Sequence, residues 1–283
     1  MRCVMIALLA ATTALAACSG SGNEAPSFPP PPASEEGAEH IHGLGINPAD
    51  RSLLIATHTG LFRAPEGERR ARRVGDKAQD TMGFTVIGPD AFLGSGHPDV
   101  RDPLPPLLGL IRSDNAGRNW QPVSLLGQAD FHVLRAQGSR IYGVNATDGR
   151  LLVSSDGGRT WARRTPPSSL VDLAAEPGDA DHVVASGQVR LYDSRDAGRT
   201  WRPLSPQAGL LAWPSRKELY LVDAAGAVSR SVDGGRDWMR VSAIGGQPAA
   251  LATHEDELYV ALHTNQIKLS RDGGRTWVLR AEP

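Results

Sequence analysis

Ser154-Ser155-Asp156-Gly157-Gly158-Arg159-Thr160-Trp161 is a phrase that the chain repeats. It returns with Asp196 and Trp201, with Asp233 and Trp238, and with Asp272 and Trp277; Asn115 takes the acid position in the copy that ends at Trp120. A worn copy begins at Ala64, with Glu66 in the acid position and Ala71 in the tryptophan position, which makes six. A short carboxylate or amide can accept hydrogen bonds from nearby backbone N–H groups and close a turn, and the glycine that follows takes positive φ without Cβ strain. The phrase is therefore a hairpin turn whose terminal tryptophan buries a large apolar surface.

From Trp120 the tryptophans follow at intervals of 41, 40, 37 and 39 residues. A repeat of about 40 residues signals blades of four short strands. The expected fold is an all-β, six-bladed β-propeller, with a seventh, degenerate blade as the alternative. The phrase resembles the Asp-box, or BNR, repeat of sialidase-like propellers over about residues 39–280. That resemblance implies a fold more than an activity, because enzymes, sorting receptors and assembly factors share the repeat. Asn115, Asp156, Asp196, Asp233 and Asp272, with the five tryptophans, are read as structural.

Residues 1–17 read as a leader: Arg2 precedes an apolar run from Val4 to Leu15, too short to span a membrane. Leu15-Ala16-Ala17-Cys18 resembles the bacterial lipoprotein box, which implies a lipidated Cys18 as the first mature residue. Ser19 beside it resembles the outer-membrane sorting signal of Gram-negative cells. The expected location is the cell envelope, outer membrane or cell surface, with the bilayer met through the lipid alone. Cys3 leaves with the leader, so the folded domain holds no thiol for a disulfide, a nucleophile or a metal. Residues 18–38, built around Pro29-Pro30-Pro31-Pro32, read as a tether that reaches on the order of 60 Å in a polyproline-like form. Residues 39–283 then form one domain, read as a monomer.

A formal net charge of −1 gives no field for nucleic acid. Arg69, Arg70, Arg72 and Arg73 read as solvated turn residues. Blade two is longer than its siblings, the surplus lying in the proline-rich stretch His97–Pro106, and long loops on a rigid scaffold often carry function.

The turn phrases sit between third and fourth strands and mark the bottom of the ring. His58, His97 and His263 end second strands, and His40, His42 and His132 begin inner strands, so all six belong at the top; His182 and His254 belong at the bottom. Aligning His40-Ile41-His42, Asp80-Thr81-Met82 and Asp130-Phe131-His132 puts His40, Asp80 and Asp130 in one layer. His42, Met82 and His132 form a second layer, about 7 Å deeper along the channel. Imidazoles, carboxylates and a thioether at a channel mouth suit a transition metal, copper or zinc. The alternative is histidines that cap strand ends and aspartates that tie strands together.

The sialidase resemblance implies an arginine triad, and its nearest match, Phe62-Arg63-Ala64-Pro65, falls on a third strand, so the arginine is not carried over. Asp80, Asp130 and Asp172 are the candidate acid/base carboxylates of a glycoside hydrolase. A third expectation is a scaffold that binds a protein or small ligand at its top face.

Overall fold

The computed structural model describes residues 40–282, so the leader, Cys18 and the tether lie outside the described residues. The rest is all strand and turn: six four-stranded antiparallel sheets, each with its strands in chain order. Six blades form, and each comes from one continuous repeat. Blade one runs Ile41–Ile46, Leu53–Thr57, Gly60–Ala64 and Arg72–Arg73. The other inner strands are Asp80–Gly88, Phe131–Gln137, Leu170–Glu176, Leu210–Ser215 and Pro248–His254.

The apolar second strands are buried on both faces, as Leu53, Leu54, Ile55 and Ala56 in blade one show. Two-sided burial gives the molecule six thin cores, one in each seam between blades. Leu54, Ala56 and Leu61 of blade one meet Phe84 and Phe92 of blade two, and the same arrangement recurs around the ring.

In the third blade's turn, Ser154 Oγ donates to Asp156 Oδ1 at 2.7 Å and accepts the Gly158 N–H at 2.9 Å. Asp156 Oδ1 also accepts the N–H groups of Arg159 and Thr160, three and four residues on, and Oδ2 accepts the Thr160 hydroxyl at 2.6 Å. The serine that opens the phrase is thus as structural as the acid. It is buried in all five full copies, at Ser113, Ser154, Ser194, Ser231 and Ser270. The residue after the acid need not be glycine, since Ala116 and Ala197 take φ of 59° and 56° there. The strict requirement falls one residue later: Gly158 has φ +86°, and a Cβ would lie 2.1 Å from Leu110 of the preceding blade.

Each phrase tryptophan lies half-buried in the seam with the preceding blade. Trp161 packs beside Phe131, with ring centroids 5.1 Å apart, and its Nε1 donates to Ser124 Oγ of blade two at 2.8 Å. Trp277 reaches Ser242 of blade five in the same way. At the seam where the ring closes, the worn copy offers Ala71 instead. Polar ties also cross this seam. Arg280 donates to the carbonyls of Ala64, Pro65 and Glu68, Glu282 N–H donates to Arg69, and Arg51 binds Glu255 and Glu257 of blade six at 3.0 Å each.

Ser154→Ala leaves the buried Gly158 N–H without its acceptor, at a cost of about 1–3 kcal/mol, read from the urea unfolding midpoint at unchanged slope. Arg280→Met removes charge-assisted bonds at the closing seam and is expected to cost about 2 kcal/mol by the same measurement.

Candidate metal centre at the channel mouth

The inner strands do not enter the mouth as regular ladders. In blade one, Ile41 pairs Thr57 and Gly43 pairs Ala56, which leaves His42 as the extra residue of a β-bulge. Met82 is the extra residue between Thr81 and Gly83, and His132 the one between Phe131 and Val133. A bulge re-aims the extra side chain, and here the same slip in adjacent blades turns three donor residues toward one space. Val171 and Ala249 hold the equivalent places in blades four and six. His42, Met82, His132, Val171 and Ala249 together line a mouth cavity of about 420 Å³. The blades are close enough at Gly83 that a Cβ there would lie 2.3 Å from the Phe131 carbonyl oxygen.

The deeper layer expected from sequence, His42, Met82 and His132, therefore shares one cavity. The outer layer is arranged differently from a simple ring. His40 is exposed, with φ +49°. Asp80 and Asp130 each meet the histidine that ends the second strand of the preceding blade: His58 Nδ1 lies 2.9 Å from Asp80 Oδ1, and His97 Nε2 lies 3.6 Å from Asp130 Oδ2. Both carboxylates stand at the starts of their inner strands and face the seams with the preceding blades, against these histidines. His263 ends a second strand in blade six, is exposed, and lies outside the group, because blade one carries His40 where blades two and three carry an aspartate.

One donor atom each from His42, His58 and Asp80 lie within 4.8 Å of one another. The His42 and His58 rings meet edge to face at 4.3 Å, and His40 approaches His58 at 5.2 Å. His42 Nε2 and Asp130 Oδ1 are buried without a hydrogen-bond partner among the described residues, and Asp80 Oδ1 sits beside His58 out of line for a hydrogen bond. Burial, reinforced by the neighbouring imidazoles His58, His132 and His40, pulls the His42 pKa down to about 4. His42 is then a neutral imidazole at any pH near 7. His132 shifts the other way, since Asp130 Oδ2 accepts its Nε2–H at 2.9 Å and stabilises the charged ring.

Asp172 does not join the mouth. It is 1% exposed; one oxygen binds Arg135 at 2.7 Å and accepts the Leu173 N–H, and the other accepts the Leu211 N–H of blade five. It ties three blades together and has no oxygen free for acid/base work. Arg63, on its third strand, is likewise committed to Asp50 and Ser52.

The bottom of the channel holds a second cavity of about 570 Å³, lined from all six inner strands and including His254 and Trp213, the tryptophan outside the turn phrases. Beside it, His182 is 2% exposed and held between Glu176 at 2.5 Å and Asp193 at 2.6 Å, a cap on strands of the kind that the alternative reading of the histidines describes. The bulges that re-aim His42, Met82 and His132 were missing from the sequence reading. Their only sequence trace is a Gly following Met82 and His42 at the point of closest approach, Gly83 and Gly43.

No protein-family model matches the sequence, and no curated protein matches it closely. Solved structures do. A GH74 enzyme from Niastella koreensis superposes with a TM-score of 0.62 at 13% identity, over 86% of this chain and 45% of that one. The GH74 xyloglucanase from Xanthomonas campestris gives 0.57 at 20% identity, over 86% and 45%. YCF48 bound to D1 peptide gives 0.53 at 14% identity, over 87% and 83%. This chain spans less than half the length of the GH74 enzymes, and at these identities the likeness is one of fold.

Ring-proton NMR titration is expected to show His42 changing protonation near pH 4 and His132 above the ordinary 6.5; Asp130→Asn should bring His132 back down. A His42 titrating at 6.5 would contradict its burial.

Proposed function

We propose that the protein is a lipid-anchored, cell-envelope propeller that binds a transition-metal ion, copper or zinc, at its top mouth. The observation that carries this reading is the convergence of His42, His58 and Asp80, with donor atoms within 4.8 Å of one another and the His42 Nε2 buried without a partner among the described residues. A buried imidazole nitrogen that bonds to nothing is costly, and a cation would satisfy it. Two imidazoles and a carboxylate, with positions left for water or a ligand, is a donor set that suits zinc or copper. Met82 in the same cavity adds a soft donor for reduced copper. The turn geometry, with serine, acid and tryptophan in one bonded unit, supports the resemblance to the Asp-box repeat. The lipid at Cys18 and the proline-rich tether would hold this mouth away from the bilayer.

A peptide-binding scaffold is the second reading, favoured by the coverage of 83% of YCF48, whose structure holds a D1 peptide. A glycoside hydrolase has less support. Asp172 is fully engaged, Asp80 and Asp130 each face a histidine, and no Phe, Tyr or Trp lines the mouth cavity, where a sugar ring would call for an aromatic platform.

The test is elemental analysis and calorimetric titration of the untagged full chain in detergent with zinc and with copper. Binding is expected, and His42→Ala and Asp80→Asn should each abolish it or weaken it severely while melting temperature is kept. Absence of stoichiometric binding of either ion would remove the reading, and turnover of fluorogenic glycosides would favour the hydrolase instead.

A further inference from the structure

We propose that the outer edge of the seam between blades one and two is a binding site for a phosphomonoester, a small molecule that ends in a doubly charged phosphate. The site lies on the bottom side of the ring, away from the mouth, and does not depend on the metal reading.

A cavity of about 530 Å³ opens where the short outer strand of blade one, Arg72–Arg73, faces the turn phrase of blade two. Four arginines, Arg63, Arg72, Arg73 and Arg118, stand on its wall, and Glu68 is the carboxylate there. The whole chain has a formal net charge of −1, so this concentration of positive charge is local. Arg63 is offset by Asp50, which its Nη2 meets, while its Nε donates to Ser52 Oγ at 2.9 Å. Arg73 is held over the Phe62 ring, its guanidinium carbon 5.4 Å from the centroid. Arg72 and Arg118 form no ion pair among the described residues, and neither does Glu68.

The turn of blade two also departs from its siblings. In the other four full phrases the arginine curls back on its own turn: Arg159, Arg199, Arg236 and Arg275 each donate through Nη1 to the carbonyl of the phrase aspartate, at 2.7–3.4 Å. Arg118 makes no such bond among the described residues and stands on the cavity wall instead. The alanine after the acid position is not the cause, since Arg199 curls back beside Ala197. What differs is Asn115, an amide where the siblings carry a carboxylate. Its side chain still accepts the Asn119 N–H at 2.9 Å, so the turn itself is intact. Loss of the charge removes the attraction that would hold a guanidinium over its own turn, and it takes a negative group from the rim of the cavity. Two departures from the repeat, at one turn, thus raise the positive potential of the same cavity.

A guanidinium presents a rigid fork of N–H donors that matches phosphate oxygens, and several can share one phosphate. A phosphomonoester carries about −1.5 to −2 charges at pH 7, enough to answer both Arg72 and Arg118, whereas a carboxylate carries a single charge. Pro65, Val74 and Ala116 give the wall an apolar part for the body of the molecule. The volume lies within the range of about 300–1,000 Å³ usual for small-molecule sites.

The test is calorimetric titration of the metal-stripped, untagged full chain in detergent at matched ionic strength, with inorganic phosphate, phenyl phosphate and benzoate. Phenyl phosphate is expected to bind more tightly than inorganic phosphate, and benzoate about tenfold more weakly or less tightly still. Arg118→Gln and Arg72→Gln should each weaken phenyl phosphate by about tenfold or more. Asn115→Asp, which restores the sibling acid, should weaken it too while the melting temperature is kept. Arg159→Gln in the blade-three turn and His42→Ala at the mouth should leave it unchanged. Lowering the pH from about 7 to about 5 puts a second proton on the phosphate and should also weaken binding. Short-chain phosphatidic acid, used below its micellar concentration, separates the sources. Tighter binding than phenyl phosphate makes the natural ligand a lipid headgroup, weaker binding makes it a soluble ester, and either result supports the site. No binding of any phosphate, or binding that Arg118→Gln and Arg72→Gln both leave untouched, overturns the proposal. Loss on His42→Ala places the anion at the mouth and overturns it as well, and benzoate binding as tightly as phenyl phosphate overturns the phosphate assignment.

Discussion

Burial of both faces of every blade is the constraint on which the structure depends. A four-stranded sheet such as blade one, with Leu53, Leu54, Ile55 and Ala56 consecutive and all buried, cannot be stable with either face in water. It needs a neighbour on each side, and that neighbour has the same need. A closed ring is the arrangement in which no blade is left with an uncovered face. The phrase tryptophans seal the outer part of the seams, and where the worn repeat has Ala71 the seal becomes a set of hydrogen bonds from Arg280 and Arg51. The ring closes at a seam that differs chemically from the other five.

Closure also creates the mouth. Strands that begin at the same height around an axis bring residues 50 or 90 positions apart in sequence into one cavity. The bulges at His42, Met82 and His132 then determine what that cavity contains. A regular ladder would send alternate residues into the seams and the channel by turns. The slip lets Ile41 and Phe131 remain buried in the seams while the next residue swings to the mouth. Packing and site are thus served by adjacent residues of the same strand.

The two ends of the channel differ in chemistry. The bottom, edged by turns, holds a wide cavity with aromatic and aliphatic walls, and its buried histidine, His182, has both nitrogens committed to carboxylates. At the top, His42 Nε2 and Asp130 Oδ1 are buried and uncommitted among the described residues. Histidine count alone does not distinguish these environments; the number of unpaired nitrogens and oxygens does. It also separates Asp130, with a free oxygen, from Asp172, whose oxygens are all spent on holding blades three, four and five together.

The sequence by itself determined the repeat, the number of blades, the strand order and the end of the channel at which each histidine lies. These are set by local turn chemistry and apolar patterning, and both are written in consecutive residues. The role of the turn serine belongs to the folded state, because its bond to a glycine N–H four residues on forms only once the turn closes. Tertiary structure alone decided which donors meet. His58 finds Asp80 and His97 finds Asp130 across seams. The physical reason is that a bulge shifts a side chain by one strand face with no change in composition, and contact across a seam depends on how two separate sheets pack. Neither leaves a periodic mark along the chain.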